Sequence, residues 1–207
     1  MKYGDMMKKG VNPSVIQSKS LIIDSLIDLM QIKQINEISI SEISENAEIS
    51  RRTFYRNFTS KEDVLDDYFK IVFSEVKEEI DKLGDEINCM LAIRVIFKLC
   101  DKHKDFFLAL SNSNMLGFML ERWNTALPVL HTIFLDRIKS FPQINSNQTL
   151  DYLLAFNVGG TFNMVMKWIN DGMKIPADKV ADIVEEFAFG TLMDNKIIKS
   201  DLYSPSK

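Results

Sequence analysis

The segment that decides the fold reads SISEISENAEISRRTFYRNF, residues 39–58, and continues as TSKEDVLDDYF, residues 59–69. Its first four residues have the spacing of a capping box. A hydroxyl at the N-cap, Ser39, and a carboxylate three residues later, Glu42, can together satisfy two free backbone N–H groups at a helix start. Ser50 marks a second helix start shortly afterwards. A short helix, a tight turn and a second short helix are therefore predicted.

Two short helices packed on a longer first helix form a helix-turn-helix unit. In this unit the second helix can enter the major groove of DNA while the first crosses the phosphate backbone. The side chains expected to face inward are Ile43, Ala47, Ile49, Phe54 and Phe58. Those expected to face outward are Arg51, Arg52, Thr53, Tyr55, Arg56 and Asn57. Arginine, threonine and tyrosine are suited to reading base edges or holding phosphates.

The flanking sequence is also helical in pattern. Apolar residues at three-to-four spacing predict a first helix that opens near Pro13, and a long helix is predicted from Lys61 to about Gly84. Pro128 should kink or break the helix in which it falls. The further predicted helices are 86–101, 104–111, 114–139, 148–171 and 177–195. Since no run alternates as a strand would, the predicted fold class is all-α.

The chain divides into four predicted parts. We expect a flexible N-terminal tail at 1–12 and a three-helix DNA-binding domain at 13–60, with the helix-turn-helix at 39–58. A connecting helix at 61–84 and a helical C-terminal domain at 85–207 complete the chain.

The charge pattern favours contact with nucleic acid at one place only. The formal net charge of the chain is −4. Four basic residues and no acidic one lie between Ile49 and Lys61. Local charge governs contact with a polyanion, whereas the total charge mostly affects solubility.

Several other classes of protein are excluded by the sequence. No apolar run reaches the roughly 18 residues of a membrane helix, and no secretory signal is recognisable, so a cytoplasmic protein is expected. Cys89 and Cys100 would lie roughly 16 Å apart along a helix, too far for a disulfide. The sequence contains no phosphate-binding loop, no nucleophile elbow and no zinc motif. We therefore expect no enzyme, no cofactor and no metal site.

The segment resembles the TetR/AcrR family of bacterial transcriptional regulators. The residues in register with the family pattern are Ser39, Ile43, Ile49, Ser50, Thr53, Phe54, Tyr55, Phe58, Ser60, Lys61, Glu62 and Leu65. The run TFYRNFTSKEDVL is its most specific part. The resemblance implies that Arg51, Arg52, Thr53 and Tyr55 face DNA and that Lys61 holds a phosphate. It also implies that Ser39 and Ser41 meet the DNA backbone. Ser50, Arg56 and Asn57 complete the predicted DNA-binding set.

Three positions depart from the family pattern. Ser44 replaces the usual alanine, and Asn57 replaces the usual histidine or tyrosine. Glu48 stands where the family has the glycine of the turn. A residue other than glycine with positive φ costs on the order of 1 kcal/mol, and a carboxylate near phosphates is mildly repulsive.

By the same resemblance, the C-terminal domain forms a homodimer and encloses a small-molecule pocket. The predicted pocket residues are Phe97, Phe107, Met115, Phe118, Met119, Trp123, Phe156 and Met164. A tightly filled core is the alternative for each of them. Ala155, Gly159, Gly160 and Phe162 are the predicted dimer contacts, with packing inside the chain as the alternative for the glycines.

The sequence thus favours a homodimeric repressor that binds a pseudo-palindromic operator and is released by a small apolar or amphipathic effector. A second hypothesis is a regulator, acting as an activator, that answers to a partner protein through its C-terminal domain. A helical interaction protein that binds no DNA is the third.

Overall fold

The computed structural model describes residues 13–87, 89–115, 117–123 and 147–193, and all regular structure in them is helical. The helices are α1 (Pro13–Met30), α2 (Ile40–Asn46), α3 (Arg51–Asn57), α4 (Lys61–Leu83), α5 (Cys89–Lys102), α6 (Lys104–Asn112), α7 (117–123), α8 (Asn147–Asn170) and α9 (Ala177–Met193). Short 3-10 turns occupy Ile35–Glu37 and Gly84–Glu86. The all-α prediction is confirmed.

The predicted starts of α1, α3 and α4 agree with the structure, and two other predicted starts lie three residues too early. Gly84 has φ 52° and ends α4, and the 3-10 turn that follows delays α5 to Cys89. Asn114, with φ 54°, occupies a left-handed position after α6, so the next helix begins at 117 rather than 114. The predicted tail at 1–12, the break at Pro128 and the helix ends at 139 and 195 lie outside the described residues.

The first three helices share a small core. Ile22, Leu26 and Phe54 are fully buried within it. The buried hydroxyl of Ser25 on α1 donates a hydrogen bond to the carbonyl oxygen of Ile43 at 3.0 Å and accepts one from the Asn46 amide at 3.1 Å. Because both functions of this hydroxyl are satisfied, α2 is held in a fixed position on α1.

The core continues through α4 into the C-terminal helices. Helix α5 packs on α9, and the ring centroids of Phe97 on α5 and Trp168 on α8 lie 5.5 Å apart. Arg94 on α5 forms ion pairs with Asp182, at 2.7 Å, and Glu185 of α9. The helix-turn-helix is thus joined by α4 to a helical body. None of the helices in the described part of the chain is long and apolar enough to cross a membrane.

Candidate DNA-binding interface

The N-terminus of α2 has the predicted capping box. The Ser39 hydroxyl accepts a hydrogen bond from the Glu42 backbone N–H at 3.1 Å, and the Glu42 carboxylate accepts one from the Ser39 N–H at 2.8 Å. Lys33 also donates to this carboxylate, at 2.6 Å. The bond from Lys33 and those from Ser39 lower the pKa of Glu42 to about 2. No sequence pattern indicates this role for Lys33, which lies in the loop before the capping box.

The turn between α2 and α3 has a strained residue at the position where the family pattern has glycine. Glu48 has φ 54°, and its N–H donates to the carbonyl oxygen of Glu45 at 3.1 Å. Ile49 N–H then donates to the Ser44 carbonyl oxygen at 2.9 Å, which closes the end of α2. Glu45 and Glu48 are exposed, and neither forms an ion pair with the described residues. Negative charge therefore borders the start of α3.

Helix α3 is anchored to the hydrophobic core by one buried aromatic side chain. Phe54 is fully buried, with its ring centroid 6.2 Å from that of Phe58, which is also buried. The N-cap is Ser50, whose hydroxyl accepts a hydrogen bond from Thr53 N–H at 3.1 Å. With one face of the helix fixed in this way, the opposite face is turned to solvent.

The solvent face of α3 is basic. Arg51, Arg52 and Arg56 are exposed, and none of their guanidinium groups has a hydrogen bond or an ion pair with the described residues. Tyr55 is 51% exposed, and its ring packs in a T-shaped arrangement with that of Phe54, with the centroids 5.6 Å apart. The three guanidinium groups and the phenol therefore face outward, which is the placement expected from the sequence.

The other predicted polar residues are partly engaged within the helix-turn-helix. The Asn57 amide donates to the Thr53 carbonyl oxygen at 2.8 Å, and the hydroxyls of Ser50 and Thr53 lie 2.9 Å apart. Ser41 is half-buried on α2. These groups keep spare hydrogen-bonding capacity, because a hydroxyl can donate and accept at once.

Lys61 is placed differently from the role that the resemblance implies. Its ammonium donates to the carbonyl oxygens of Ile35, at 2.5 Å, and Ile38, at 2.7 Å. Both carbonyls belong to the loop between α1 and α2. Lys61 is half-buried, and its ammonium thus ties the start of α4 to this loop.

Most predicted pocket residues belong to a packed core. Phe97, Phe107 and Met119 are buried in the hydrophobic core, which favours the filled-core alternative for these three. The partly buried residues Met115, Phe118, Trp123 and Met164 pack against it. The side chain of Phe156 lies outside the described residues.

A surface groove of about 380 Å³ lies at the turn between α8 and α9. It is lined by Met164, Lys167, Trp168, Asp171, Lys174, Ile175, Val180 and Ile183. Of the predicted pocket residues that the structure describes, Met164 alone borders it.

The predicted dimer contacts on α8 divide into two groups. Around Gly159 and Gly160, no heavy atom in the described part of the chain lies within 4 Å of the position that a Cβ would occupy, apart from their own helix. Close packing against the described residues therefore does not explain these glycines. Phe162, in contrast, is buried with its ring centroid 5.6 Å from that of Trp123, so it packs into its own subunit. The Ala155 side chain lies outside the described residues.

A buried polar network, which no sequence pattern indicates, joins α4 to the corner between α5 and α6. The Tyr68 hydroxyl lies 2.8 Å from His103 Nδ1, and His103 Nε2 lies 3.1 Å from the Glu75 carboxylate. Lys102 also donates to Glu75, at 2.5 Å. Burial lowers the pKa of His103, outweighing the carboxylate beside it. Burial opposes ionisation of Glu75, but the hydrogen bonds from Lys102 and His103 prevail and lower its pKa.

A helix-turn-helix with an exposed basic second helix, joined to a helical body, defines a protein of the transcriptional-regulator class. Two family models match the chain. One, described as bacterial regulatory proteins of the tetR family, matches residues 22–68, and the other, a transcriptional regulator C-terminal region, matches residues 88–190. The chain belongs to the TetR family of transcriptional regulators, which are DNA-binding proteins and not enzymes.

The chain is also similar to one named relative in sequence and to solved structures in fold. The chain is 30% identical over 117 residues to the HTH-type dhaKLM operon transcriptional activator DhaS of Lactococcus lactis. That alignment covers 55% of this chain and 60% of the activator. A solved structure titled dihydroxyacetone kinase operon activator DhaS has a TM-score of 0.63 at 21% identity, covering 86% of this chain and 97% of that one. The fatty acid degradation regulator FadR from Bacillus halodurans has a TM-score of 0.60 at 17% identity, covering 90% and 98%.

Proposed function

We propose that the protein is a homodimer that binds a pseudo-palindromic DNA operator with one α3 helix from each subunit. The observation that carries this proposal is the exposed basic face of α3. Arg51, Arg52 and Arg56 project from a helix whose opposite face is fixed by the buried Phe54. Guanidinium groups suit guanine edges and phosphates alike. Tyr55, Thr53, Asn57 and Ser50 extend the contact surface, and Ser39 and Ser41 meet the DNA backbone.

The dimer is proposed to form through α8 and α9. None of the described residues packs against the Cβ positions of Gly159 and Gly160, which would allow a second helix to approach closely there. Near the turn between α8 and α9, Ile175 and Ile183 keep 47% and 38% of their surface exposed. Packing these residues across a two-fold axis would remove apolar surface from water, and the axis would relate the two half-sites of the operator.

The regulatory signal is proposed to act on the C-terminal domain. An effector that binds one of two arrangements of the dimer more tightly shifts the population towards it, and so changes operator affinity. The buried Nε1 of Trp123 has no hydrogen-bond acceptor within the residues that the structure describes. A small, mostly apolar effector with one acceptor group would satisfy this donor, while the adaptable Met115 and Met164 border the core nearby.

Activation of transcription is the second candidate, in place of repression. The curated relative at 30% identity is named as an operon activator, which favours this sign of regulation. In that case a partner protein or an effector would hold the dimer in its DNA-binding arrangement.

The first experiment is selection of bound duplexes from random DNA by the purified full-length protein, at two salt concentrations. An enriched pseudo-palindrome with salt-sensitive affinity supports the proposal. Absence of any enriched sequence, for the wild type and for an Arg51→Ala control alike, overturns it in favour of a helical interaction protein. A reporter gene placed behind the selected site then distinguishes repression from activation.

A further inference from the structure

The turn that follows α1, residues 31–34, lies against α6 and holds both of its ends. Gln31 Nε2 donates a hydrogen bond to the carbonyl oxygen of Asp105 in the first turn of α6, at 2.7 Å. Gln34 Nε2 donates to the carbonyl oxygen of Asn112, the last residue of α6, at 2.6 Å. We call this pair of glutamines and their two bonds the glutamine clamp.

Two further bonds reinforce the clamp at the C-terminal end of α6. Asn112 Nδ2 donates to Gln31 Oε1 at 3.4 Å, and the hydroxyl of the buried Ser113 donates to the Lys33 carbonyl oxygen at 3.2 Å. The last carbonyls of a helix have no partner within the helix. The DNA-binding domain thus supplies a hydrogen-bond donor to the backbone carbonyl oxygen of Asn112, which has no donor within α6.

The same end of α6 is joined to a helix of the proposed dimer face. Ser111 Oγ donates to Oδ1 of Asn170, the last residue of α8, at 3.1 Å. The C-terminal turn of α6 is therefore hydrogen-bonded to the DNA-binding domain on one side and to α8 on the other. Helices α6 and α8, and α6 and α1, also pack on each other.

These contacts differ in kind from those of the connecting helix. Lys19 on α1 is paired with Asp67 of α4 at 2.9 Å, and Arg122 of α7 donates to Asp66 of α4. Those ion pairs attach α4 to α1 on one side and to α7 on the other. The glutamine clamp attaches the turn after α1 to α6, at a separate place. Two separate attachments define an orientation that a single hinge would leave free.

We propose that Gln31 and Gln34 are positioning residues that fix the DNA-binding domain on α6 and thereby set the half-site separation that the dimer reads. This inference rests on the proposed function. The clamp bonds are between neutral groups, so they hold the orientation without adding charge to the DNA-binding face. Loss of the clamp should affect the separation of the two α3 helices and not the contacts that each makes with its own half-site.

The test uses the selected operator, a series with its half-site separation changed by one or two base pairs either way, and a duplex with a single half-site. The full-length wild type is compared with the Gln31→Ala/Gln34→Ala double variant. Gln34→Glu is a second variant, which keeps the side-chain length but sets a carboxylate against the Asn112 carbonyl. Gln17→Ala is the matched control, because Gln17 is an exposed glutamine of α1 without a hydrogen bond to the described residues.

For the wild type and Gln17→Ala we expect a sharp preference for one separation. In the double variant, affinity for the best separation should fall about tenfold, the neighbouring separations should become nearly equal to it, and affinity for the single half-site should stay unchanged. Circular dichroism should show the same helix content for all variants. A double variant and a Gln34→Glu variant that keep the wild-type separation profile overturn the inference alone. A wild type that selects no sequence overturns the proposed function and the inference with it.

Discussion

The contrasting positions of Arg52 and Lys61 lead to a quantitative prediction about salt. The three exposed arginines of α3 give a dimer about six DNA contacts, so the logarithm of the binding constant should fall with that of the salt concentration with a slope of about −5. A rise from 50 to 200 mM salt then weakens binding about a thousandfold. Arg52→Ala removes two contacts per dimer, which reduces the slope to about −3.6 and the loss to about 150-fold.

Lys61→Ala should leave this slope unchanged, because the Lys61 ammonium is bound to the carbonyl oxygens of Ile35 and Ile38. Its loss should instead lower the free energy of unfolding by about 1–3 kcal/mol, since two carbonyls lose a charged donor. Fluorescence anisotropy with a labelled operator over a salt series measures the slopes, and urea unfolding measures the stability. A Lys61→Ala variant with as large a reduction of slope as Arg52→Ala would refute the reasoning, because Lys61 would then have to leave the carbonyls for phosphates.

Three further predictions concern stability. Burial lowers the pKa of His103 in the folded state, so the unfolded state binds the proton more readily. The free energy of unfolding should therefore fall as the pH drops below about 6.5. Urea unfolding midpoints between pH 5 and 7.5 should show this fall, and His103→Gln should reduce the pH dependence. Glu48→Gly relieves the strain of the positive φ at some cost in chain entropy, so Tm should rise by roughly 2 °C. Glu48→Gln should leave Tm unchanged. A lower Tm for the glycine variant would contradict the presence of strain at this position. Phe54→Ala should cost about 3–5 kcal/mol in urea unfolding, far more than Tyr55→Ala, and equal losses would mean that Phe54 is not the anchor of α3.

The features that the sequence predicted correctly are local. Helix α3 begins after Ser50 and α4 after Ser60, because each serine hydroxyl accepts a hydrogen bond from a backbone N–H three residues later. Such signals lie within a few neighbouring residues, and one-dimensional inspection is enough to find them. The sequence leaves the turn at Glu48 open, and its positive φ shows that the backbone keeps the conformation for which the family has glycine.

The features that the sequence did not reveal are contacts between distant residues. The partners of the Lys61 ammonium are backbone carbonyls more than twenty residues away, which no side-chain pattern can indicate. His103 reads as an ordinary polar residue at a helix break, yet its partners Tyr68 and Glu75 lie two helical turns apart on α4. Whether an aromatic residue such as Phe97 fills a core or lines a cavity depends in the same way on packing across helices.

The uninterrupted length of α4 has a mechanical consequence. Its 23 residues make a rod about 34 Å long at roughly 1.5 Å per residue, and the helix-turn-helix is joined to its N-terminal end. Tilting such a rod by about 6° at the body displaces its far end by roughly 3.4 Å, the rise of one base pair along a strand. A small tilt of α4 would therefore be enough to move α3 by a full base pair relative to the half-site proposed for it.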